Sequence, residues 1–157
     1  MDATAFMVLA AMCAPLVHPD TALAIALTES ALNPNAIGVV AARLERQPRS
    51  LPEALMTAEA LRAQRRNFSV GLAQINVHNL ERLGLRIEDA FDGCKNLAAM
   101  QVVLGECLDR AEPVAAPQTA LRQALSCYYS GNFTTGFRHG YVSRVVGHAR
   151  KSARAPP

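Results

Sequence analysis

Apolar and polar residues follow a helical period along nearly the whole chain. Apolar positions recur at three- and four-residue steps, which is typical of helices that turn one face to a core. The predicted helices span residues 2–13, 20–30, 50–66, 76–83, 94–111, 118–128 and 133–146. No segment shows the sustained alternation of a β-strand, and no internal repeat is present. We therefore predict an all-α fold, a compact helical domain in which the loops between helices line a groove.

Local signals mark where several of these helices begin and end. Pro19 suits the first turn of a helix, and Asn33-Pro34 ends the same helix. Ser50 and Glu53 have the spacing of a capping box, and Gly84 suits a helix C-terminus. The predicted helix over residues 94–111 should carry a core-facing stripe. That stripe consists of Leu97, Met100, Leu104, Cys107, Leu108 and Ala111.

Composition and charge narrow the class of protein. The chain has 157 residues, of which 50% are apolar and 18% charged, so we expect one globular domain, over residues 1–150. Five cations and no acid lie in Arg138–Arg154, within a formal net charge of +3. This basic end is either a solvated terminus or a contact for an anionic polymer or surface, and we predict that residues 151–157 form a disordered basic tail. With no Trp, few aromatics and no binding motif, a nucleic-acid partner is not expected.

Four cysteines, Cys13, Cys94, Cys107 and Cys127, allow two disulfides and so indicate an oxidising compartment. They include no C-x-x-C pair and match no zinc pattern, and we expect neither a metal nor a cofactor. Cys94 and Cys107 fall on one predicted helix, roughly 19 Å apart by helical rise, too far to pair. Two pairings remain: Cys13–Cys107 with Cys94–Cys127, which we prefer, and Cys13–Cys94 with Cys107–Cys127. Four buried free thiols are the alternative.

The N-terminal stretch is apolar but reads as a helix rather than a targeting segment. Ala3–Ala14 lacks a basic region before it and follows Met1-Asp2. No apolar run reaches the roughly 18 residues of a transmembrane span, so we expect no integral membrane segment. If the protein is exported, its signal is absent from this sequence.

Glu29 is the strongest candidate for chemistry. It ends the apolar helical run Thr21–Ser30, where a carboxyl should be partly desolvated. Burial disfavours the charged form of a carboxyl and keeps it protonated nearer to neutral pH. Such a group can act as a general acid, although an isolated Glu near a helix end is more often a surface residue or a cap.

Two further segments carry polar groups suited to a glycan. In Ser69–Asn76, Gly71 would permit close approach of a ligand, and Gln74 and Asn76 offer donors and acceptors for hydroxyl and acetamido groups. In Cys127–Asn132, tyrosine rings could pack on sugar faces. A plain helix start and a core tyrosine pair with a turn are the alternatives for these two segments.

In their order and combination these motifs resemble the soluble lytic transglycosylase domain, which has a goose-lysozyme-like fold. The matching residues are Glu29-Ser30 with Asn33-Pro34, then Ser69–Ile75, Cys127–Gly131 and Tyr141-Val142, and they span nearly the whole chain. The chain is most similar to the peptidoglycan-lytic component of bacterial type IV secretion systems. That branch carries a long insertion, here residues 38–67, and the forms Cys13-Ala14-Pro15 and Cys127–Asn132.

The resemblance implies a role for each matching residue. Glu29 would be the single catalytic acid and base, and Tyr141 would hydrogen-bond to it. The remaining residues would bind the glycan: Ser69, Gln74, Asn76, Tyr128, Tyr129, Ser130 and Asn132. Tyr129 stands where the wider family has Asn, which puts an amide contact to the glycan in doubt; Ser130 or Asn132 could replace it.

The implied activity is cleavage of the bond between N-acetylmuramic acid and N-acetylglucosamine with formation of anhydromuramic ends. The expected partners are peptidoglycan strands and secretion-system subunits, the expected location is the periplasm, and the expected state is a monomer. We find no second acid in the motifs; Glu88 and Asp92, elsewhere along the chain, are the remaining candidates for a partner carboxylate. The alternatives are a hydrolytic lysozyme on the same fold, a noncatalytic glycan-binding or assembly module, and a cytosolic helical interaction protein with free thiols.

Overall fold

The computed structural model describes residues 1–113 and 115–152. In these ranges the chain forms nine helices and three short strands. The helices are α1 (Ala3–Cys13), α2 (Pro19–Ser30), α3 (Leu51–Ala63), α4 (Val77–Arg82), α5 (Ile87–Phe91), α6 (Gly93–Asp109), α7 (Pro117–Ser130), α8 (Thr135–Arg138) and α9 (Tyr141–Ser152). The strands are β1 (Ile37–Val39), β2 (Phe68–Val70) and β3 (Ile75–Asn76). The predicted all-α class is confirmed, with a small sheet that the sequence pattern did not reveal.

Helix α2 is the centre of the core. Its buried residues include three alanines, Ala22, Ala24 and Ala26, and these small side chains allow neighbouring helices to approach closely. Helices α1 and α9 pack against it, while α6 packs against α1, α5 and α7. Glu29 occupies the last turn of this buried helix, so the core fixes its position.

The sheet has the order β1-β2-β3 and is antiparallel throughout. The connection between β1 and β2 carries α3 and coincides with the predicted insertion 38–67, whose first residues belong to β1. On the edge of the sheet, the side-chain amide of Gln47 pairs with the backbone of Ile37. Its Oε1 accepts from the Ile37 N–H at 2.8 Å and its Nε2 donates to the Ile37 carbonyl at 2.9 Å.

The sequence signals for the starts of α1 and α3 agree with the structure in part. Asp2 caps α1, with its carboxylate accepting from Ala5 N at 2.9 Å, and Ser50 caps α3 by accepting from Glu53 N. The Glu53 carboxylate reaches the Arg49 N–H instead of closing the box on Ser50. The predicted stripe is buried except for Leu108, which is 44% exposed and was wrongly placed in the core; Ala111 is buried but lies beyond the end of α6.

The predicted helix over 133–146 is wrong as a single element. It is divided into α8 and α9 because Gly140 adopts a left-handed φ of 71°, which ends one helix and redirects the chain into the next. Helix α9 continues to Ser152, so the first two residues of the predicted disordered tail are helical. The rest of that predicted tail, residues 153–157, lies outside the described residues.

The preferred disulfide pairing is wrong, and the other arrangement is the one observed. Cys13 bonds to Cys94, and Cys107 bonds to Cys127. Cys13 ends α1 beside the first turn of α6, with a Cα–Cα distance of 5.1 Å to Cys94. Cys107 lies more than three turns further along α6, where α7 packs beside it. The pairing depends on which end of α6 receives α1, and local sequence does not encode that.

Because all four cysteines are paired, the alternative of free thiols is also wrong. Among the described helices, none combines the length and the apolar character needed to cross a bilayer.

Candidate active site

A cleft of about 1010 Å³ passes beneath the end of α2. Its lining residues come from the sheet, α4, α6 and α7 as well as from α2. Most of the predicted site residues line it: Glu29, Ser69, Gln74, Asn76, Tyr128, Tyr129 and Ser130. Segments that are far apart in sequence therefore meet with Glu29 in one cleft.

The backbone after Glu29 is fixed in an unusual conformation. Ala31 and Leu32 have φ values of 52° and 62°, in the left-handed region that non-glycine residues rarely adopt. The Ser30 hydroxyl donates to the Leu72 carbonyl at 2.8 Å and so ties the end of α2 to the loop after β2. Strained residues persist where the surroundings hold them, and here they end α2 directly after the turn that carries Glu29.

Glu29 is half-buried and has a strongly perturbed acidity. Burial raises its pKa from the usual 4.5 to about 7, while the Tyr141 hydrogen bond and the positive charge of Arg144 act in the opposite direction. The Tyr141 hydroxyl donates to Glu29 Oε1 at 2.6 Å. Burial and the neighbouring carboxylate hold the pKa of Tyr141 well above 10, so this phenol remains a donor. A carboxyl of this kind can release and regain a proton near neutral pH.

The two tyrosines at the end of α7 play different structural parts. The Tyr128 hydroxyl donates to the Ala73 carbonyl at 2.7 Å, which joins α7 to the loop between β2 and β3. Tyr129 is 41% exposed in the cleft, and its ring stacks on that of Tyr141, with centroids 4.6 Å apart. Tyr128 therefore forms part of the cleft wall, while the Tyr129 ring covers Tyr141, whose hydroxyl contacts Glu29.

The polar residues of the sheet are largely engaged with one another. Ser69 and Asn76 are paired across β2 and β3, and Asn76 Nδ2 donates to Asn67 Oδ1 at 2.8 Å. Gln74 adopts a φ of 50° and uses its Nε2 to donate to the carbonyls of Ala36 and Gly71, both at 3.0 Å. Its Oε1 accepts no hydrogen bond within the described residues, and Gln74 lines the cleft.

Ser130 and Asn132 serve the turn between α7 and α8. The Ser130 hydroxyl donates to the Ser126 carbonyl at 2.8 Å. Asn132 Oδ1 accepts from the N–H groups of Thr134 and Thr135 at 3.0 and 2.8 Å, and Asn132 does not line the cleft. In this conformation Asn132 orders the start of α8, and a direct contact to the glycan stays a prediction.

Asn96 is a site-forming residue that sequence reasoning missed. It is 1% exposed; its Nδ2 donates to the carbonyls of Val70 and Ala90, and its Oδ1 accepts from Ala73 N at 2.8 Å. Gly71 has a φ of 82°, and a Cβ there would collide with the Asn96 amide. The glycine thus makes room for Asn96 rather than for a ligand. A lone Asn in the apolar stretch of α6 was the available signal.

Charged residues that line the cleft also escaped the sequence analysis. Arg82 makes two hydrogen bonds to Glu106, at 2.8 and 2.7 Å, and Arg110 donates to Cys127 Sγ at 3.0 Å. Asp109 also lines the cleft. The two acids that the sequence offered as second carboxylates lie elsewhere: Asp92 caps α6, and Glu88 is exposed on α5. Glu106 and Asp109 are therefore the carboxylates to weigh against a single-acid mechanism.

Comparisons with known proteins agree with this geometry. A family described as "Transglycosylase SLT domain" matches residues 6–145. The type IV secretion system protein virB1 of Brucella suis biovar 1 is 50% identical over 151 residues, which cover 92% of this chain and 63% of the relative. Protein virB1 of Agrobacterium tumefaciens (strain 15955) is 36% identical over 135 residues, covering 85% of this chain and 56% of the relative.

The chain thus spans less than two thirds of the length of these relatives. Among solved structures there is no significant match. The family match covers α2 with Glu29, the sheet, the end of α7 and Tyr141, which are the elements that build the cleft. The chain belongs to the transglycosylase SLT-domain family.

Proposed function

We propose that this protein is a peptidoglycan lytic transglycosylase that opens the cell wall locally, in the periplasm, for assembly of a type IV secretion system. The observation that carries the proposal is a half-buried carboxyl, Glu29, that lines a cleft and has a pKa of about 7. The relatives named virB1 support the link to secretion, and the family supports the reaction class. Peptidoglycan strands and secretion-system subunits are the proposed partners.

The proposed reaction uses Glu29 twice. The protonated carboxyl donates its proton to the oxygen of the bond between N-acetylmuramic acid and N-acetylglucosamine, and that bond breaks. The acetamido group of the muramic residue stabilises the resulting cation, as in substrate-assisted glycosidases. The Glu29 carboxylate then takes the proton from the muramic C6 hydroxyl, whose oxygen closes the anhydro ring. The steps balance without water, and Glu29 ends protonated for the next cycle.

The cleft residues have assigned parts in this proposal. Tyr141 holds the carboxyl and stabilises its charged form between the two steps, because its phenol donates to Oε1. Gln74 presents an oxygen to an N–H or hydroxyl of the glycan, while Ser69 and Asn76 form the polar sheet wall beside it. Tyr129 offers an exposed ring edge and face to a sugar.

A hydrolytic lysozyme on the same fold is the main alternative. It would need a second carboxylate to direct water onto the sugar. Glu106 is poorly placed for that task, since both its oxygens are held by Arg82. Asp109 lines the cleft, and its substitution therefore tests this alternative directly.

The test is mass spectrometry of muropeptides released from purified peptidoglycan by wild type, Glu29→Gln and Asp109→Asn. Anhydromuramic ends made by wild type and Asp109→Asn, and lost in Glu29→Gln, support the proposal. Reducing ends would mean hydrolysis. Binding to peptidoglycan without turnover, in wild type as in Glu29→Gln, would mean a noncatalytic binding or assembly module.

A further inference from the structure

Tyr129, Tyr141 and Glu29 form a continuous chain of contacts between three helices. The rings of Tyr129, in the last turn of α7, and Tyr141, the first residue of α9, are nearly parallel, at 17° with centroids 4.6 Å apart. On its other side Tyr141 donates to Glu29, in the last turn of α2, at 2.6 Å. The phenol that contacts the acid is therefore held by packing from a second ring as well as by its own helix.

The free end of Tyr129 is fixed by the turn that carries Tyr141. Its hydroxyl lies 3.1 Å from His139 Nδ1, and the two rings meet edge to face with centroids 5.8 Å apart. The His139 carbonyl accepts from Arg144 Nη1 at 3.1 Å, which stabilises the turn through Gly140. A shift of Tyr129 would thus move His139 and, through Gly140, would reach Tyr141.

Exposure separates the two rings. Tyr141 is 2% exposed and Tyr129 is 41% exposed, so Tyr129 lies between the buried phenol and the cleft solvent. Offset-stacked rings prefer centroids within this range, and each such pair contributes to holding its geometry. Removing the outer ring would leave one face of Tyr141 against water and give it room to move.

We propose that Tyr129 is a positioning residue that holds the Tyr141 phenol against Glu29, with His139 as its anchor. The effect on turnover rests on the proposed function, whereas the effect on Glu29 itself does not. The alternative is that Tyr129 acts only as the platform for a sugar ring proposed above and does not hold Tyr141. A platform would change KM, while a positioning residue that acts through Tyr141 would change kcat and depend on Tyr141 being present.

A double-mutant cycle separates the two roles. Tyr129→Leu and Tyr129→Phe are made in the wild type and in the Tyr141→Phe background, and Phe137→Leu, an exposed aromatic on neighbouring α8, is the matched control. Tyr129→Leu should lower kcat about tenfold with little change in KM, since small misplacements of a catalytic contact are costly. Tyr129→Phe keeps the stack but loses His139, and should lose only about two- to threefold. Phe137→Leu should leave kcat unchanged.

The decisive comparison is the Tyr141→Phe background. If Tyr129 acts through the Tyr141 phenol, Tyr129→Leu causes no further loss of kcat there. Losses that multiply in the double variant, or a change confined to KM, would overturn the proposal in favour of the platform.

A second readout needs no turnover and so survives failure of the proposed function. The carboxyl of Glu29 is titrated by carbon NMR in each variant, with Glu29→Gln to assign its signal. Besides Tyr141, the groups that act on Glu29 are Tyr128 and Arg144, and the variants leave both in place. Tyr129→Leu should raise the pKa of Glu29 toward its value in Tyr141→Phe, because a weakened donor stabilises the carboxylate less.

In the Tyr141→Phe background the same substitution should leave the Glu29 titration unmoved. An unchanged titration in Tyr129→Leu, with the circular dichroism of the folded protein retained, would also overturn the positioning role. If Tyr129→Leu shifts the Glu29 pKa only when Tyr141 is present, but the wild type shows no turnover, the proposed function alone would be overturned.

Discussion

Replacing Glu29 by Gln should make the protein more stable at neutral and alkaline pH. The folded protein holds the Glu29 proton more tightly than the unfolded chain does, because burial raises the pKa from 4.5 to about 7. Between these two values folding is accompanied by proton uptake, so stability falls as the pH rises through this window and the loss is complete above it. A glutamine has no proton to lose and avoids this loss.

The size of the effect follows from the two pKa values. A difference between 4.5 and about 7 corresponds to about 3 kcal/mol of stability. Glu29 is only half-buried, and solvent in the cleft screens its charge, so we expect about 2 kcal/mol. For a protein of this size, that amount should raise Tm by roughly 4–8 °C.

The assay is urea unfolding of wild type, Glu29→Gln and Glu45→Gln, with disulfides intact, from about pH 4 to pH 8. Glu45 is exposed on the loop before α3 and serves as the matched control. The stability gained by Glu29→Gln should be near zero at the acid end and reach its full value above about pH 7. A gain that is the same at every pH, or one that Glu45→Gln reproduces, would refute the reasoning.

Three further outcomes follow from the same contacts. Turnover should fall as the pH rises through about 7, because Glu29 must be protonated to act as the acid; an alkaline limb that stays flat to about pH 9 would contradict this. Gly71→Ala should cost about 3 kcal/mol or more, through strain at positive φ and displacement of the Asn96 amide, measured by urea unfolding. Removing the Cys13–Cys94 disulfide, which closes 81 residues, should cost about 4.5 kcal/mol, against about 3.3 for Cys107–Cys127, which closes 20.

Gly84 provides a control for the Gly71 substitution. Gly84 also has a positive φ, of 67°, but no atom lies within 4 Å of an added Cβ. Gly84→Ala should therefore show only the backbone cost, about 1 kcal/mol. Equal losses at Gly71 and Gly84 would mean that the collision with Asn96 does not matter. For the disulfides, the reverse order of stability would contradict the loop-length argument.

The sequence was sufficient to predict the helical class and to single out Glu29. Helical periodicity extends over long segments and so predicts the helical class. The motifs around Glu29 and Tyr141 are far apart in sequence, but both match the same family pattern, which predicts that they belong to one site. The Glu29–Tyr141 contact implied by that resemblance is present in the structure. The catalytic role of Glu29 and the substrate contacts of the other residues stay predictions.

What escaped prediction depends on short segments or on tertiary packing. Strands of two or three residues are too brief to show an alternating pattern, so the sheet was missed. The disulfide pairing follows from which end of α6 receives α1. Asn96 makes its hydrogen bonds to three backbone groups in other segments, and its place in an apolar stretch of α6 does not reveal these partners.

The pairing of Gln47 with Ile37 determines what the sheet can accept. A side-chain amide that both donates to and accepts from one residue imitates the edge of another strand. It occupies the Ile37 backbone groups on the outer side of β1, where an extended peptide would otherwise add by β-augmentation. The Gln47 side chain also discourages pairing between the sheets of two molecules, which is the usual route by which exposed sheet edges aggregate. An extended peptide therefore finds the Ile37 backbone groups already occupied.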